Sequence, residues 1–426
     1  MQIIILGAGI IGVSTAWHLL RQGHDVTVID RQPDAALETS FANAGQISVS
    51  HCEPWASRDT PAKLARWLMR QDAPLLFRPR MDWHQWSWGL RFLSQCNDTA
   101  FERNVRQISA LGRYSHEALK AMVEATGIDY HRLQRGIAHV FTDTRAFEAA
   151  AGASQLMRRF GVERRVVDTA ELLRIEPALS PFGHRIVGGT YTASDETGDA
   201  RVFTQALARH CAGLGGRFLW GRDVEHLTRA GRAVESVSVR DRATGGRLDM
   251  TADAFVVACG SWSAPLLRTA GVGLPIYPGK GYSATLRLLQ PDRAPSVSVI
   301  DDEVKCAMTR LGDHLRVAGT IELGGWDTSI ESPLSQARCR MLLDRVRQVL
   351  PGVCDLQTPN FWAGLRPATP TNIPFIGRTK LDRLWVNAGH GTLGWTHGAG
   401  SGLALAELMA GRRPGIPFGF LGFAPG

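Results

Sequence analysis

Residues 2–12 read Gln-Ile-Ile-Ile-Leu-Gly-Ala-Gly-Ile-Ile-Gly, and a second apolar run, Val26 to Ile29, ends on Asp30. A strand-like run, a glycine turn, a helical pattern and a short strand closing on an acid together form the cradle of a dinucleotide. Gly7 permits the tight turn, Gly9 lets the backbone approach a pyrophosphate, and Gly12 lets the next helix pack against the sheet. That helix, starting near Ile10 and Ile11, aims its N-terminal amides and positive dipole end at the phosphates. Asp30, 18 residues beyond Gly12, is placed to accept hydrogen bonds from an adenosine ribose. Its charge would repel a 2′-phosphate, which disfavours NADP and leaves NAD and FAD open.

The chain has 426 residues, enough for two or three domain-sized units, with 44% hydrophobic and 21% charged residues. Such a composition suits a folded protein and argues against disorder. The formal charge of +8 favours anionic ligands or an anionic membrane surface. It does not point to nucleic acid, because the basic residues are dispersed. Seven cysteines, the closest pair 15 positions apart, include no CxxC. They read as reduced thiols of a cytoplasmic protein. Residues 2–20 carry no Asp, Glu, Lys or Arg, yet three glycines interrupt the run and no basic segment precedes it. The strand-turn-helix reading therefore displaces that of a signal peptide or membrane span.

No internal repeat or linker divides the chain, so its domains are expected to interleave. Arg217 to Trp220, Ala254 to Ala258 and Leu384 to Val386 look like further members of the dinucleotide-binding sheet, and Phe203 to Leu214 reads as a helix capped by Asp199 and stopped by Gly215 and Gly216. Asp195, Glu196 and Asp199 lack the spacing of a calcium loop, and no metal is expected. Arg103 to Ala125 suggests one helix or two, Val297 to Ala318 a run of strands turning at Asp301–Asp302 and Gly312–Asp313, and Cys339 to Leu350 a helix. From Trp55 to Trp88, five tryptophans (Trp55, Trp67, Trp83, Trp86, Trp88) interleave with Lys63, Arg66, Arg70, Arg78 and Arg80. That mixture fits either a membrane-surface patch or a tryptophan-rich core contact with a solvated basic rim.

Near the C-terminus, Gly364 to Pro370 (GLRPATP) and Gly389 to Thr396 (GHGTLGWT) precede a helical stretch that runs to Met409 and stops at Gly411. The second glycine turn offers another helix N-terminus, suited to the negative charge that a reduced flavin carries and a nicotinamide does not. With the N-terminal fingerprint, Ala42 to Ile47 (ANAGQI) and the Ala258 to Ser263 turn, these motifs resemble the FAD-dependent D-amino acid oxidase superfamily. Leu37 to Ser40, Asp195 to Asp199, and Tyr277 to Ser283 (YPGKGYS) narrow the likeness to bacterial D-amino acid dehydrogenases of the small-subunit type. The likeness covers nearly all of residues 1–412.

The resemblance implies an α/β fold with an α+β second domain: a Rossmann-like FAD-binding domain (1–85, 190–265 and 356–412), interleaved with a mainly antiparallel-sheet substrate domain (86–189 and 266–355) and followed by a tail (413–426). It implies noncovalent FAD, since 364–370 lacks the cysteine found in covalent relatives. Gly7, Gly9, Ile10, Ile11 and Gly12 would serve the pyrophosphate, with Asp30 and Arg31 at the ribose. Thr39, Ser40, Ala44, Gly45, Gln46 and Ile47 would follow the cofactor toward the flavin, Val224 would meet the adenine, and Gly260 and Trp262 would approach it closely. Gly364, Arg366, Gly391, Leu393, Gly394, Trp395 and Thr396 would surround the flavin.

Arg366 matches the arginine that holds the substrate carboxylate in glycine-oxidase-like members, for which a planar fork that stays charged at any working pH is suited. Tyr282 is the candidate for a supplementary hydrogen bond, while Lys280 and His390 receive no catalytic role. The implied reaction is oxidation of a D-amino acid by hydride transfer from Cα to flavin N5, giving a 2-oxo acid and ammonia. The implied acceptor is a quinone at the inner face of the bacterial membrane, reached from segment 55–88 or from the apolar tail Ile416 to Phe423. An oxygen-using oxidase or dehydrogenase of glycine, sarcosine, D-proline or D-hydroxyproline, a nicotinamide dehydrogenase, and a non-catalytic flavin-binding subunit are the alternatives.

Overall fold

A computed structural model describes residues 1–67 and 75–423. Strand β1 (Gln2–Leu6), helix α1 (Ile10–Arg21) and strand β2 (Asp25–Ile29) follow the opening motif. β1 pairs in parallel with β2 on one side and with Ala254–Val257 on the other, bringing Leu6 opposite both Ile29 and Val257. The six-stranded sheet runs Phe375–Arg378, Leu384–Ala388, Ala254–Val257, β1, β2, Arg217–Leu219, and only the first of these is antiparallel. Both faces of β1 are buried. Ile3 and Ile5 pack with α1, and Ile4 and Leu6 pack with Leu227, Val237 and Leu267 beneath a three-stranded sheet. That double burial is why β1 reads as an unbroken apolar run rather than an alternation. The strands expected at 217–220, 254–258 and 384–386 all join this sheet.

Helix α2 (Trp83–Ser94) and the 29-residue helix α3 (Asp98–Thr126) come next, the latter a single element across the expected 103–125. A nine-stranded sheet then gathers distant pieces around strands β3 (Tyr277–Arg287), β4 (His314–Leu323) and β5 (Asn360–Ala368), with β3 paired antiparallel between the other two. Helix α4 (Pro333–Val349) covers one face. It starts six positions before the expected Cys339, because Ser332 accepts from Ser335 N at 3.2 Å and Pro333 suits the first helical position. The helix expected at 203–214 spans Ala200–Gly213, with Asp199 accepting from Arg201 N and Val202 N.

Strand pairing redraws the expected domain boundaries. The cut at 190 falls inside Gly188–Thr192, a strand of the nine-stranded sheet, and β5, assigned to the cofactor domain, lies in that sheet too. Leu75–Phe77 likewise pairs with β4. Conversely α3, assigned to the substrate domain, buries Leu111, Leu119 and Met122 in the core beneath β1.

The tryptophans of the 55–88 stretch differ in burial. Trp88 is core, stacked on Phe92 at 5.3 Å and donating to Ala368 O at 2.9 Å, whereas Trp83 and Trp86 are 73% and 47% exposed. Arg70 and the side chains of Arg66 and Trp67 lie outside the described residues. The tail is not a free apolar surface. Phe418 and Phe420 are buried, and Leu421 exchanges hydrogen bonds with Ile376 and Arg378 at the sheet edge; Ala424 to Gly426 lie outside the described residues. No helix among the described residues is long and apolar enough to cross a membrane. All seven cysteines are free.

Candidate active site

The glycines of the opening turn are required by contact. A Cβ on Gly7 (φ +104°) would meet Ala258 O at 2.6 Å, and one on Gly12 would lie 1.9 Å from Gly7 O, so α1 can seat on the turn only with glycine at both. Gly9 meets only the Ser40 hydroxyl and leaves the approach open. The residues that precede α1, Ser263–Thr269 and α5 (Gly394–Met409) supply no capping side chain, and at α1 the first amide, Ile10 N, is taken by Ser40 Oγ at 3.2 Å. By contrast, Asp82, Asn97, Asp143, Asp168, Asp199 and Ser332 cap the helices that follow them. All three uncapped helices border one cavity of about 370 Å³. Uncapped first-turn amides leave donors for an anionic group, the need of a dinucleotide pyrophosphate and a reduced flavin.

Of the residues expected at the cofactor, Gly7, Gly9, Ile10, Ile11, Asp30, Arg31, Thr39, Ser40, Val224, Gly260, Trp262, Gly391 and Gly394 line this cavity. Asp30 accepts from Ala8 N at 2.6 Å and Gln32 N at 2.8 Å, leaving acceptor capacity for a ribose hydroxyl. Burial pushes its carboxyl above the usual range. Arg31 pairs with Glu38 at 2.8 Å and covers Trp262, whose ring lies tilted against Trp326 at 4.5 Å. Trp326 belongs to no motif, and nothing in the sequence singled it out.

Other expected residues do not line the cavity. Gln46 donates to Ser298 Oγ at 2.8 Å, Ile47 is buried in the core, and Thr396 Oγ1 accepts from Ser48 N at 3.1 Å. Ala44, Gly45 and Leu393 are also outside its lining. The Trp395 indole packs against Tyr130 and Phe203 and donates to Gly198 O.

Arg366 on β5 sits where the two sheets meet. A second cavity, of about 60 Å³, is lined by Ile10 and Ser40 from the cradle and by Gly281, Trp362, Gly364 and Arg366 from the nine-stranded sheet. The guanidinium crosses β3 above Gly281 and donates from Nη1 to Thr320 O at 3.2 Å. Among the described residues no carboxylate pairs with it. Loss of solvation pushes its pKa down to about 10, so it stays a cation near neutrality.

Tyr282 also borders this small cavity, but its side chain turns to the other face of the sheet. Arg366 lies opposite Gly279, and Gly364 opposite Gly281, so these residues share one face of the sheet. Tyr282 and Lys280 alternate onto the other face, where Tyr282 packs with Ala284, Leu286 and Cys339 of α4. Its hydroxyl donates to Glu322 Oε2 at 2.8 Å and lies 3.2 Å from Ser335 Oγ. Lys280 Nζ donates to Ser329 O at 2.5 Å, and Arg78 pairs with Glu322 at 3.0 Å. The two-residue period of the strand thus engages the Tyr282 hydroxyl, the expected supplementary donor to the carboxylate, with Glu322 and Ser335. His390 lines the larger cavity, and burial holds its imidazole well below its usual pKa and therefore neutral.

The acids near 195 have structural roles. Asp195 accepts from Val49 N, Ser50 N and the hydroxyls of Ser48 and Ser50, and burial pushes its pKa up to about 6. Glu196 is held by His116 and Arg132.

Residues 2–408 match the family model described as DAO, FAD dependent oxidoreductase. A D-amino acid dehydrogenase of Dechloromonas aromatica is 50% identical over 421 residues, covering 99% of this chain and 100% of that protein. One from Paramagnetospirillum magneticum is 43% identical, covering 99% of this chain and 98% of that protein. Among solved structures, the glycine oxidase of Geobacillus kaustophilus superposes with a TM-score of 0.74 at 21% identity over 97% of this chain and 95% of that one. The L-proline dehydrogenase of P. horikoshii gives 0.71 at 19% identity, over 98% and 95%. At these identities the two structures speak to the fold alone.

Proposed function

Because this chain belongs to the DAO family of FAD-dependent oxidoreductases, we propose that it is a D-amino acid dehydrogenase that converts D-amino acids to 2-oxo acids and ammonia. The observation that carries the reading is the Arg366 guanidinium, unpaired with any described carboxylate and opening on the cavity where cradle and second sheet meet. A half-buried cation that meets no carboxylate among the described residues is costly, and a substrate carboxylate, gripped by both arms of the fork, supplies the missing charge.

The residues present fit FAD. Gly7, Gly9 and the first turn of α1 would hold its pyrophosphate, Asp30 its ribose, and the uncapped start of α5 at Gly394 its flavin end. When bound, the flavin supplies the two-electron acceptor. The substrate loses two electrons and two protons across its Cα–N bond, and water then replaces the imine nitrogen. Arg366 binds and orients the carboxylate, and orientation is a large source of rate. Neither Lys280 nor Tyr282 serves as a base, because both face α4.

On the acceptor side, the reading is a quinone drawn from an anionic bilayer. Trp83, Trp86, Leu90 and Leu93 are 73%, 47%, 63% and 48% exposed, and recur at helical spacing on α2. Met81 adds to them, and Arg78, Arg80 and Arg91 are exposed beside them. An apolar aromatic stripe with a basic flank suits a lipid interface.

The activity is tested by mixing the holoenzyme anaerobically with D- and L-amino acids and following flavin absorbance. D-amino acids should bleach it without any partner protein; no bleaching, or bleaching by L-isomers alone, refutes the assignment. A quinone analogue should then restore the colour faster than air does, whereas rapid peroxide formation would make the protein an oxidase. Replacing Trp83, Trp86 and Leu90 by serine should abolish co-flotation with anionic vesicles while leaving bleaching intact. Flotation that survives the change removes α2 as the docking face.

A further inference from the structure

We propose that Gly281 is a positioning residue for Arg366, acting by having no side chain: it opens the slot through which the guanidinium crosses β3. The inference rests on the reading of Arg366 as the carboxylate anchor and adds how the fold aims it. Arg366 is on β5, and the carbonyl it reaches is on β4, with the whole width of β3 between them. A Cβ on Gly281 would lie 2.6 Å from Arg366 Cζ and 2.8 Å from both Nε and Nη2. No other amino acid fits beneath the fork without moving it.

The far side of the slot is built by a bulge. Gly281 pairs with Ile321 and Tyr282 with Gly319, so Thr320 is the extra residue of β4. Thr320 is buried and has φ +56°, a left-handed conformation that a β-branched residue rarely adopts. Released from the ladder, its carbonyl accepts from Arg366 Nη1. A bare glycine below and a strained carbonyl beyond it define one resting place for the guanidinium. Strain of this kind, held by surrounding structure, is concentrated at binding sites.

The clash at Gly281 is with the end of a long side chain, so the least costly relief for an alanine there is to swing Arg366 aside and keep the sheet. Gly281→Ala should therefore purify with FAD at the wild-type ratio, raise KM for D-amino acids about 30- to 100-fold, and change kcat far less. Gly279→Ala is the control on the same face, since its Cβ would meet an Ile321 methyl at 3.3 Å, and Arg366 O and a Leu323 methyl only at 3.7 Å, with no atom of the guanidinium among them; its KM should stay within about threefold of wild type.

The decisive measurement is the double variant. If Gly281 acts through Arg366, adding Gly281→Ala to Arg366→Ala raises KM no further; additive effects overturn the proposal. Should Gly281→Ala alone fold poorly, removal of the guanidinium by Arg366→Ala must restore folding, and failure to do so also overturns it. If Arg366→Ala leaves KM unchanged, the carboxylate reading itself is wrong. If Arg366→Ala raises KM and Gly281→Ala does not, only the positioning role falls.

Discussion

The two faces of strand β3 carry equally polar surroundings with opposite bookkeeping. On the α4 side, Lys280 and Tyr282 are tied to Glu322, Ser329 and Ser335, and Glu322 is tied to Arg78. On the other side Gly279 and Gly281 are bare, and the Arg366 guanidinium meets no carboxylate among the described residues and donates to the carbonyl of Thr320. A charge whose partners are all supplied by the chain belongs to the fold, whereas one whose partner is missing awaits a ligand. Residues adjacent in sequence, Gly281 and Tyr282, thus serve binding and stability respectively.

Changing the unpaired side should give the largest effect. Arg366→Ala is expected to raise KM for D-amino acids about 100-fold or more, as loss of one member of a buried charge pair does, with FAD content and Tm nearly unchanged. An unaltered KM in steady-state assays would break the comparison at its strongest point. Next is Glu322→Gln on the paired side. It removes the charge facing Arg78 and Lys280 and should lower unfolding free energy by about 2 kcal/mol, below the full value for a buried pair because Arg78 is half exposed. Urea unfolding measures that loss. KM should not follow it.

What could be read from sequence follows the range of the interaction concerned. Gly7 answers to Ala258 O far along the chain, but Gly12 answers to Gly7 O within one turn, and the Asp199 cap to the first turn of its own helix. Both are legible because the cause is local. The direction of the Tyr282 side chain is not legible, because alternation says only that it opposes Gly281. Which face holds Arg366 depends on the pairing of Gly279 with a residue 87 positions away. The bulge at Thr320 has no signal at all, since threonine is ordinary in a strand and only the register exposes it. Composition failed differently at α2, where Trp88 and Trp86 look alike in the sequence but one is core and the other exposed.

The unpaired cation should also titrate in binding. Benzoate is fully ionised above about pH 6, so above that point only the protein side changes. With Arg366 at about 10, affinity should be flat to about pH 9 and then fall about tenfold per unit as the guanidinium loses its proton. Perturbation of the flavin spectrum by benzoate measures this, and an affinity level through pH 11 would mean that the carboxylate is held by something else.

The smallest effect separates the faces most cleanly. Tyr282→Phe keeps the ring packed against Leu286 and Cys339 and deletes only the hydroxyl that serves Glu322 and Ser335. Ser335 keeps Ser332 and Lys280 as partners, and Glu322 keeps Arg78, so no buried charge is stranded. The cost should be about 1 kcal/mol of unfolding free energy, the ordinary value of one hydrogen bond. KM should be that of the wild type, because the hydroxyl and the carboxylate site are separated by the sheet itself. A KM raised as in Arg366→Ala, with stability unchanged, would return Tyr282 to the substrate and mean that the two faces are not independent.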